Sequence, residues 1–264
     1  MSKIDYEFYY MSGLPIDLRS KGLGVLHQPK IIDFVNRGID ISVFSHPFIF
    51  DKDMVMNKQK AVDDLIKDKG KLEFLIIYDA LTEMSGMMEE ESALDLLIEA
   101  LKMLYKTEDV ILAKTILTIF VNGGEVIIRD KELQFISDLV VEMLRVNKAE
   151  MKKKIEEKNK QAQQDALMNE FDRRAKEYLE KTKKRENEMS FLDMVNVVVH
   201  SQGVIDYSRV FDMTVYQLRN SYETLIKKEM FNINLLHRIS PNFKPSEDLK
   251  LWEEKVNIVK SNLN

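Results

Sequence analysis

The chain has 264 residues, with 39 Lys and Arg against 44 Asp and Glu, four His and no Cys, for a formal charge of −5. Without cysteine there is no disulfide framework, no thiolate nucleophile and no Cys-ligated zinc or iron–sulfur cluster, and the slight acidity argues against a general polyanion binder. The 45% apolar content suffices for a packed core, while nine Gly and five Pro are too few for a turn-rich sandwich or barrel.

Residues 1–147 read as a mixed, mainly helical N-terminal domain. Its opening holds two β-prone runs, Tyr6 to Tyr10 and Ile39 to Phe44, broken by Gly13, Pro15, Gly22, Gly24, Pro29, Gly38 and Pro47. A small β or irregular portion is therefore expected there. Apolar positions then recur at steps of three and four: Leu72, Leu75 and Ile76; Leu94, Leu97, Ile98, Leu101 and Leu104; Ile136, Leu139, Val140, Met143 and Leu144. That spacing predicts helices. Asn122-Gly123-Gly124 is a breaker, Glu125 to Arg129 reads as a short strand or extended turn, and Asp130 is placed to cap the following helix.

Residues 148–188 carry charge at more than half of their positions and contain no Gly or Pro. Pairs such as Glu156 with Lys160 and Glu177 with Lys181 favour a long, charged connecting helix. Its seam, Met168, Phe171, Ala175, Tyr178 and Thr182, is about two heptads long, short of a coiled coil. A solvated spacer is the plain reading; a partner-binding or oligomerising helix is the other.

Residues 189–264 recover the pattern of a small helical C-terminal domain. Ser190 with Asp193 resembles a capping box before a helix with Leu192, Val195 and Val199 on its inner face, closed by Ser201-Gln202-Gly203. A short element spans Asp206 to Phe211. Thr214 with Gln217 is a second capping box, before a helix with Leu218, Tyr222, Leu225 and Ile226. Pro241 and Pro245 bracket a loop, and Ser246 opens a last helix with Trp252, Val256 and Val259 on one side. The fold class expected is thus mainly α.

Met1 to Tyr10 carries charges and lacks an apolar run, so no secretory leader is expected, and the most apolar window, Val110 to Val121, is interrupted by Lys114 and falls short of the ~20 residues that span a bilayer. A soluble intracellular protein without a membrane partner is expected. Phosphate-loop, dinucleotide, nucleophile-elbow and metalloprotease motifs are missing from the sequence. His27, His46, His200 and His237 show no ligand spacing. Asp51-Lys52-Asp53, Asp63-Asp64 and Glu89 to Glu91 are acidic groupings of a kind that can hold Mg²⁺, but the glutamates also suit the positive end of a helix. The basic runs at Lys152 to Lys154 and Lys181 to Arg185 are interleaved with Glu156, Glu157, Glu186 and Glu188, so no nucleic-acid partner is expected. Among 15 methionines, Met84, Met87 and Met88 cluster and Met54 pairs with Met56; methionine fills cores and also grips varied apolar partners.

The runs Ser190 to Val199, Ile205-Asp206-Tyr207, Val210 to Leu218 and Ser221 to Phe231 resemble the C-terminal region of tail assembly chaperones from tailed bacteriophages of Gram-positive hosts. The acidic-apolar end Asp248 to Trp252 fits the same resemblance. It implies a non-enzymatic protein of the host cytoplasm that coats the aggregation-prone tape measure protein until tail tube subunits polymerise around it. Protein partners are then the tape measure protein and the tail tube protein, with self-association as a further partnership, and no cofactor, metal or catalytic residue is expected. Met84, Met87, Met88, Leu218, Tyr222 and Leu225 are candidates for apolar partner surfaces, each equally suited to a core. The alternatives are a structural or adaptor component that stays in the particle, and a metal-dependent enzyme using Asp51 and Asp53.

Overall fold

A computed structural model describes residues 6–52, 64–84, 92–146, 191–202 and 206–239. In chain order these give helix α1 (Tyr6–Ser12), strands β1 (Ile16–Asp17) and β2 (Val25–Leu26), and helices α2 (Ile31–Arg37), α3 (Ile41–Ile49), α4 (Lys71–Met84) and α5 (Ala93–Tyr105). Strands β3 (Val110–Ala113), β4 (Ile116–Val121) and β5 (Gly124–Ile128) follow, then helices α6 (Asp130–Met143), α7 (Phe191–Gln202), α8 (Tyr207–Phe211) and α9 (Val215–Ile239). The protein is mainly α-helical, with two small antiparallel sheets among the described residues. The charged stretch 148–188, Ser190, and the helix expected from Ser246 lie outside them.

Two compact units result, one of Pro15–Pro29 and Asp33–Glu188, the other of Met1–Leu14, Lys30–Ile32 and Met189–Asn264. A division at residues 147 and 148 differs from this grouping, because Tyr6–Leu14 and Lys30–Ile32 pack with the C-terminal residues. Periodicity along the chain carries no information about such long-range partners.

In the first unit, α3, α4, α5 and α6 bury their apolar faces together. Leu72 and Leu75 of α4, Leu97, Leu101 and Leu104 of α5, and Ile136, Leu139 and Val140 of α6 are buried at the spacing that predicts them. Phe44 is buried edge-on against Phe34, their ring centres 5.1 Å apart, and tilts against Phe48. Tyr105 Oη donates to the Leu23 carbonyl at 3.0 Å, and burial pushes its phenol pKa up.

Both β-prone runs are corrected. Ile39 to Phe44 enters α3, because the Asp40 carboxylate accepts from Ser42 N at 2.7 Å and caps the helix. Pro47 lies inside α3 rather than ending it, and the helix closes two residues later. Tyr6 to Tyr10 forms α1, since Tyr10 buries its ring against Tyr216 with centroids 5.4 Å apart. Strand propensity of aromatic and β-branched residues is a preference for half-buried surface, and a helix face supplies that equally well.

The window Val110 to Val121 is the β3–β4 hairpin, paired from Val110 with Ile119 to Ala113 with Ile116. Asn122 and Gly123, with φ of 50° and 78°, form the two-residue turn into β5. A pair of positive φ values marks the turn whose twist matches two antiparallel strands, and an Asn-Gly sequence favours it. Of Glu125 to Arg129, read as a short strand or extended turn, Glu125 to Ile128 is strand.

The second unit has its own core of Ile31, Val195, Val198, Val210 and Leu218, bordered by Phe191, Met194, Phe211, Tyr222 and Leu225. The box at Thr214 is present: Thr214 N donates to Gln217 Oε1 at 2.9 Å, and Gln217 N to Thr214 Oγ1 at 3.3 Å. Gln217 Nε2 also donates to the Met11 carbonyl beside Gly13, whose φ of +69° ends α1. A side chain at Gly13 would meet that amide and strain the turn. Asp206 caps α8, accepting from Arg209 N at 2.9 Å. Leu192 is a correction: it is exposed, because α7 turns Phe191, Met194, Val195 and Val198 inward. Leu192, Val195 and Val199 have helical spacing too, but the ring of Phe191 has more surface to bury.

Candidate functional site

The acids at the end of α3 were the sequence's best opening for catalysis. Asp51 is half-buried at the rim of a cavity of about 370 Å³, beside Phe48, Phe50, Lys71, Phe74 and Asp130; Asp53 lies outside the described residues. Helix ends engage two of the charged groups in this cavity. Lys71 Nζ donates to the Phe48 and Phe50 carbonyls at 3.0 and 2.9 Å, closing the C-terminus of α3. Asp130 is the first residue of α6 and does not cap it; Glu132 Oε2 accepts from Arg129 N there at 3.1 Å. The Asp130 carboxylate instead accepts from Leu72 N at 2.8 Å and Glu73 N at 3.3 Å, at the start of α4. The chemistry of this pair is therefore that of helix capping.

Each described histidine has its own surroundings. His27 is half-buried, and desolvation, helped by Lys106, lowers its pKa. His46 packs on the Phe50 ring and His200 lies 3.4 Å from Tyr207 Oη, while the His237 side chain is outside the described set. Among the described residues no group of three His, Asp or Glu side chains could hold a metal ion, and no helix is long and apolar enough to cross a membrane.

Asp17 carries the largest carboxyl shift. Arg19 donates to it from Nε at 3.0 Å, from Nη2 and from its backbone N, holding the carboxyl down from 3.8 to about 2. A depressed folded-state value means that the pair's contribution is complete above about pH 4 and disappears as pH falls toward 2. Both groups face solvent, so the effect on stability is small. An NMR titration is expected to find Asp17 near 2 and to return it to the ordinary range in Arg19→Ala; a wild-type Asp17 titrating near 3.8 would contradict the pairing.

The apolar candidates separate sharply. Leu218 is fully buried, and Tyr222 and Leu225 border the same core. Met84 is exposed at the end of α4, whereas Met87 and Met88 lie outside the described residues. What sequence reasoning missed is the second half of α9. On a helix, positions three and four apart share a face, and Val215, Leu218 and Tyr222 lie on one such stripe. Ile226, Met230, Ile233 and Leu236 continue it, yet they are 38%, 59%, 49% and 66% exposed. The apolar face of α9 therefore outruns the core that it seals by about three turns. The signal was readable: the spacing continues past Leu225 without a break.

Residues 181–257, less than half of the chain, match a family described as YomV second domain. No curated protein and no solved structure matches the chain. The matched stretch holds α7, α8 and α9, and its family is a phage-associated one, consistent with a phage protein.

Proposed function

We propose that this protein is a non-enzymatic tail assembly chaperone of a bacteriophage, which keeps the tape measure protein soluble in the host cytoplasm until the tail tube forms around it. The observation that carries the reading is the exposed stripe Ile226, Met230, Ile233 and Leu236 on α9. An apolar face flanked by Lys227 and Glu229 is suited to an amphipathic helix laid along it. A long helical partner offers many such faces, so weak contacts repeated along it add up to durable cover. The phage-associated match over residues 181–257 supports the same reading from a separate direction.

Co-expression tests it. The full chain is expected to raise the soluble fraction of a phage tape measure protein that is otherwise insoluble. Ile226→Asp with Ile233→Asp is expected to abolish that rescue while leaving the chain itself soluble. No rescue by the wild type would overturn the proposal. So would recovery of the protein in purified particles at structural stoichiometry, which is the outcome for an adaptor that stays in the virion.

A further inference from the structure

The cavity at the end of α3 carries more than its helix caps explain. Its walls are pinned at three helix ends. Lys71 ties the start of α4 to the Phe48 and Phe50 carbonyls, and Asp130 ties the start of α6 to the Leu72 and Glu73 N–H groups. Gly70 lets those ends meet, because a Cβ there would collide with the Asp130 carboxyl group. The enclosed space of about 370 Å³ falls within the ~300–1,000 Å³ of ordinary small-molecule sites. A site that is formed before its ligand arrives loses little binding energy to ordering itself.

Two chemistries line this space. Phe48, Ile49, Phe50 and Phe74 supply an apolar wall, with the Phe50 and Phe74 ring centres 5.5 Å apart. Around it stand Lys52, Lys69, Lys71 and Lys131 against Asp51 and Asp130, four positive charges to two negative. Lys71 and Asp130 are engaged at the helix ends, and Lys69 pairs with Glu73 at 2.8 Å. Lys52 and Lys131 have no hydrogen bond or ion pair among the described residues. An ammonium group beside a low-dielectric wall attracts an anion more strongly than one in open water. The Gln134 amide, also on the lining, offers both a donor and an acceptor.

We propose that this cavity is a binding site for a small aromatic acid, its ring against Phe50 and Phe74 and its carboxylate held by Lys52 and Lys131. A neutral apolar ligand would leave both ammonium groups unmatched, and a bare inorganic anion would leave the aromatic wall uncovered. The acid has two possible sources, a free small molecule or the aromatic C-terminal residue of a peptide. The proposal does not rest on the chaperone reading, which concerns α9.

Calorimetric titration of the full-length chain with 2-naphthoate tests it. One naphthoate is expected to bind per chain, more weakly as salt is added. The neutral 2-naphthylmethanol is expected to bind about tenfold more weakly, since it lacks the charge that the lysines meet. Lys52→Gln with Lys131→Gln is expected to bring naphthoate down to the level of the alcohol while the thermal unfolding midpoint stays where it is. Gln134 is exposed at the mouth, so Gln134→Trp is expected to block both ligands without disturbing the core. Ile226→Asp with Ile233→Asp is expected to change neither titration, which keeps this result apart from the tape measure rescue. A short peptide ending in phenylalanine separates the two sources: binding tighter than that of naphthoate, and lost on C-terminal amidation, assigns the acid to a chain end, and weaker binding assigns it to a free small molecule. No binding of either acid, equal affinity for the alcohol, or naphthoate binding untouched by the lysine and Gln134 variants would overturn the proposal.

Discussion

Phe44→Ala is expected to lower the unfolding free energy by about 3–5 kcal/mol, a large share of the ~5–15 kcal/mol that holds a typical domain together. The ring is fully buried between Phe34 and Phe48, in the helix that packs against both α5 and α6. Truncation removes the transfer energy of the ring and its edge-to-face contact with Phe34, and it leaves a cavity walled in part by Phe34 and Phe48. Those walls cannot all close in without moving α3, so little of the loss is recoverable by relaxation. Phe44→Leu fills much of the space and is expected to restore most of the stability. Urea denaturation is the measurement: the midpoint should fall with the slope unchanged. A midpoint within error of the wild type would show that Phe44 is not packed as described.

The same helix illustrates where local sequence misleads. Ile39 to Phe44 alternates like a strand, yet Asp40 two residues before Ser42 is also a helix-start signal, and burial of Phe44 and Phe48 on one face decides between them. Helices α4, α5 and α6 were legible because a 3.6-residue period over three or more turns has no good strand alternative. Asn122-Gly123 was legible as a break, but its identity as a hairpin turn depended on recognising both flanks as strands. Asp130 shows a different limit. An acid at a helix start is normally read as that helix's own cap, whereas this one reaches α4, 57 and 58 residues away in sequence. The apolar stripe of α9 was continuous in the sequence. That only its first half is sealed by the core is a fact of three dimensions, since nothing in the spacing marks where α7 and α8 stop covering it.

Asp79→Ala is expected to be nearly as damaging, for a polar reason. Periodicity places Asp79 one step along the apolar face of α4, an odd site for a carboxylate, and its side chain is in fact buried. Its Oδ2 accepts from Ser92 Oγ and from Leu94 N, both at 2.8 Å, at the N-terminus of α5. Ser92 in turn accepts from Asp95 N at 3.1 Å. α5 therefore begins on two acceptors, one its own and one lent by α4, and the negative group sits at the positive end of the helix. Alanine at 79 orphans a part-buried backbone N–H and a hydroxyl. Each costs about 1–3 kcal/mol, with the upper end apt for a lost charged acceptor. Ser92→Ala alone removes an ordinary cap, worth about 1 kcal/mol. Because the two side chains share a hydrogen bond, the double variant should lose less than the sum, with a coupling of about 0.5–3 kcal/mol. Strict additivity in that cycle would mean that Asp79 and Ser92 act on α5 independently, and that α4 does not anchor its start.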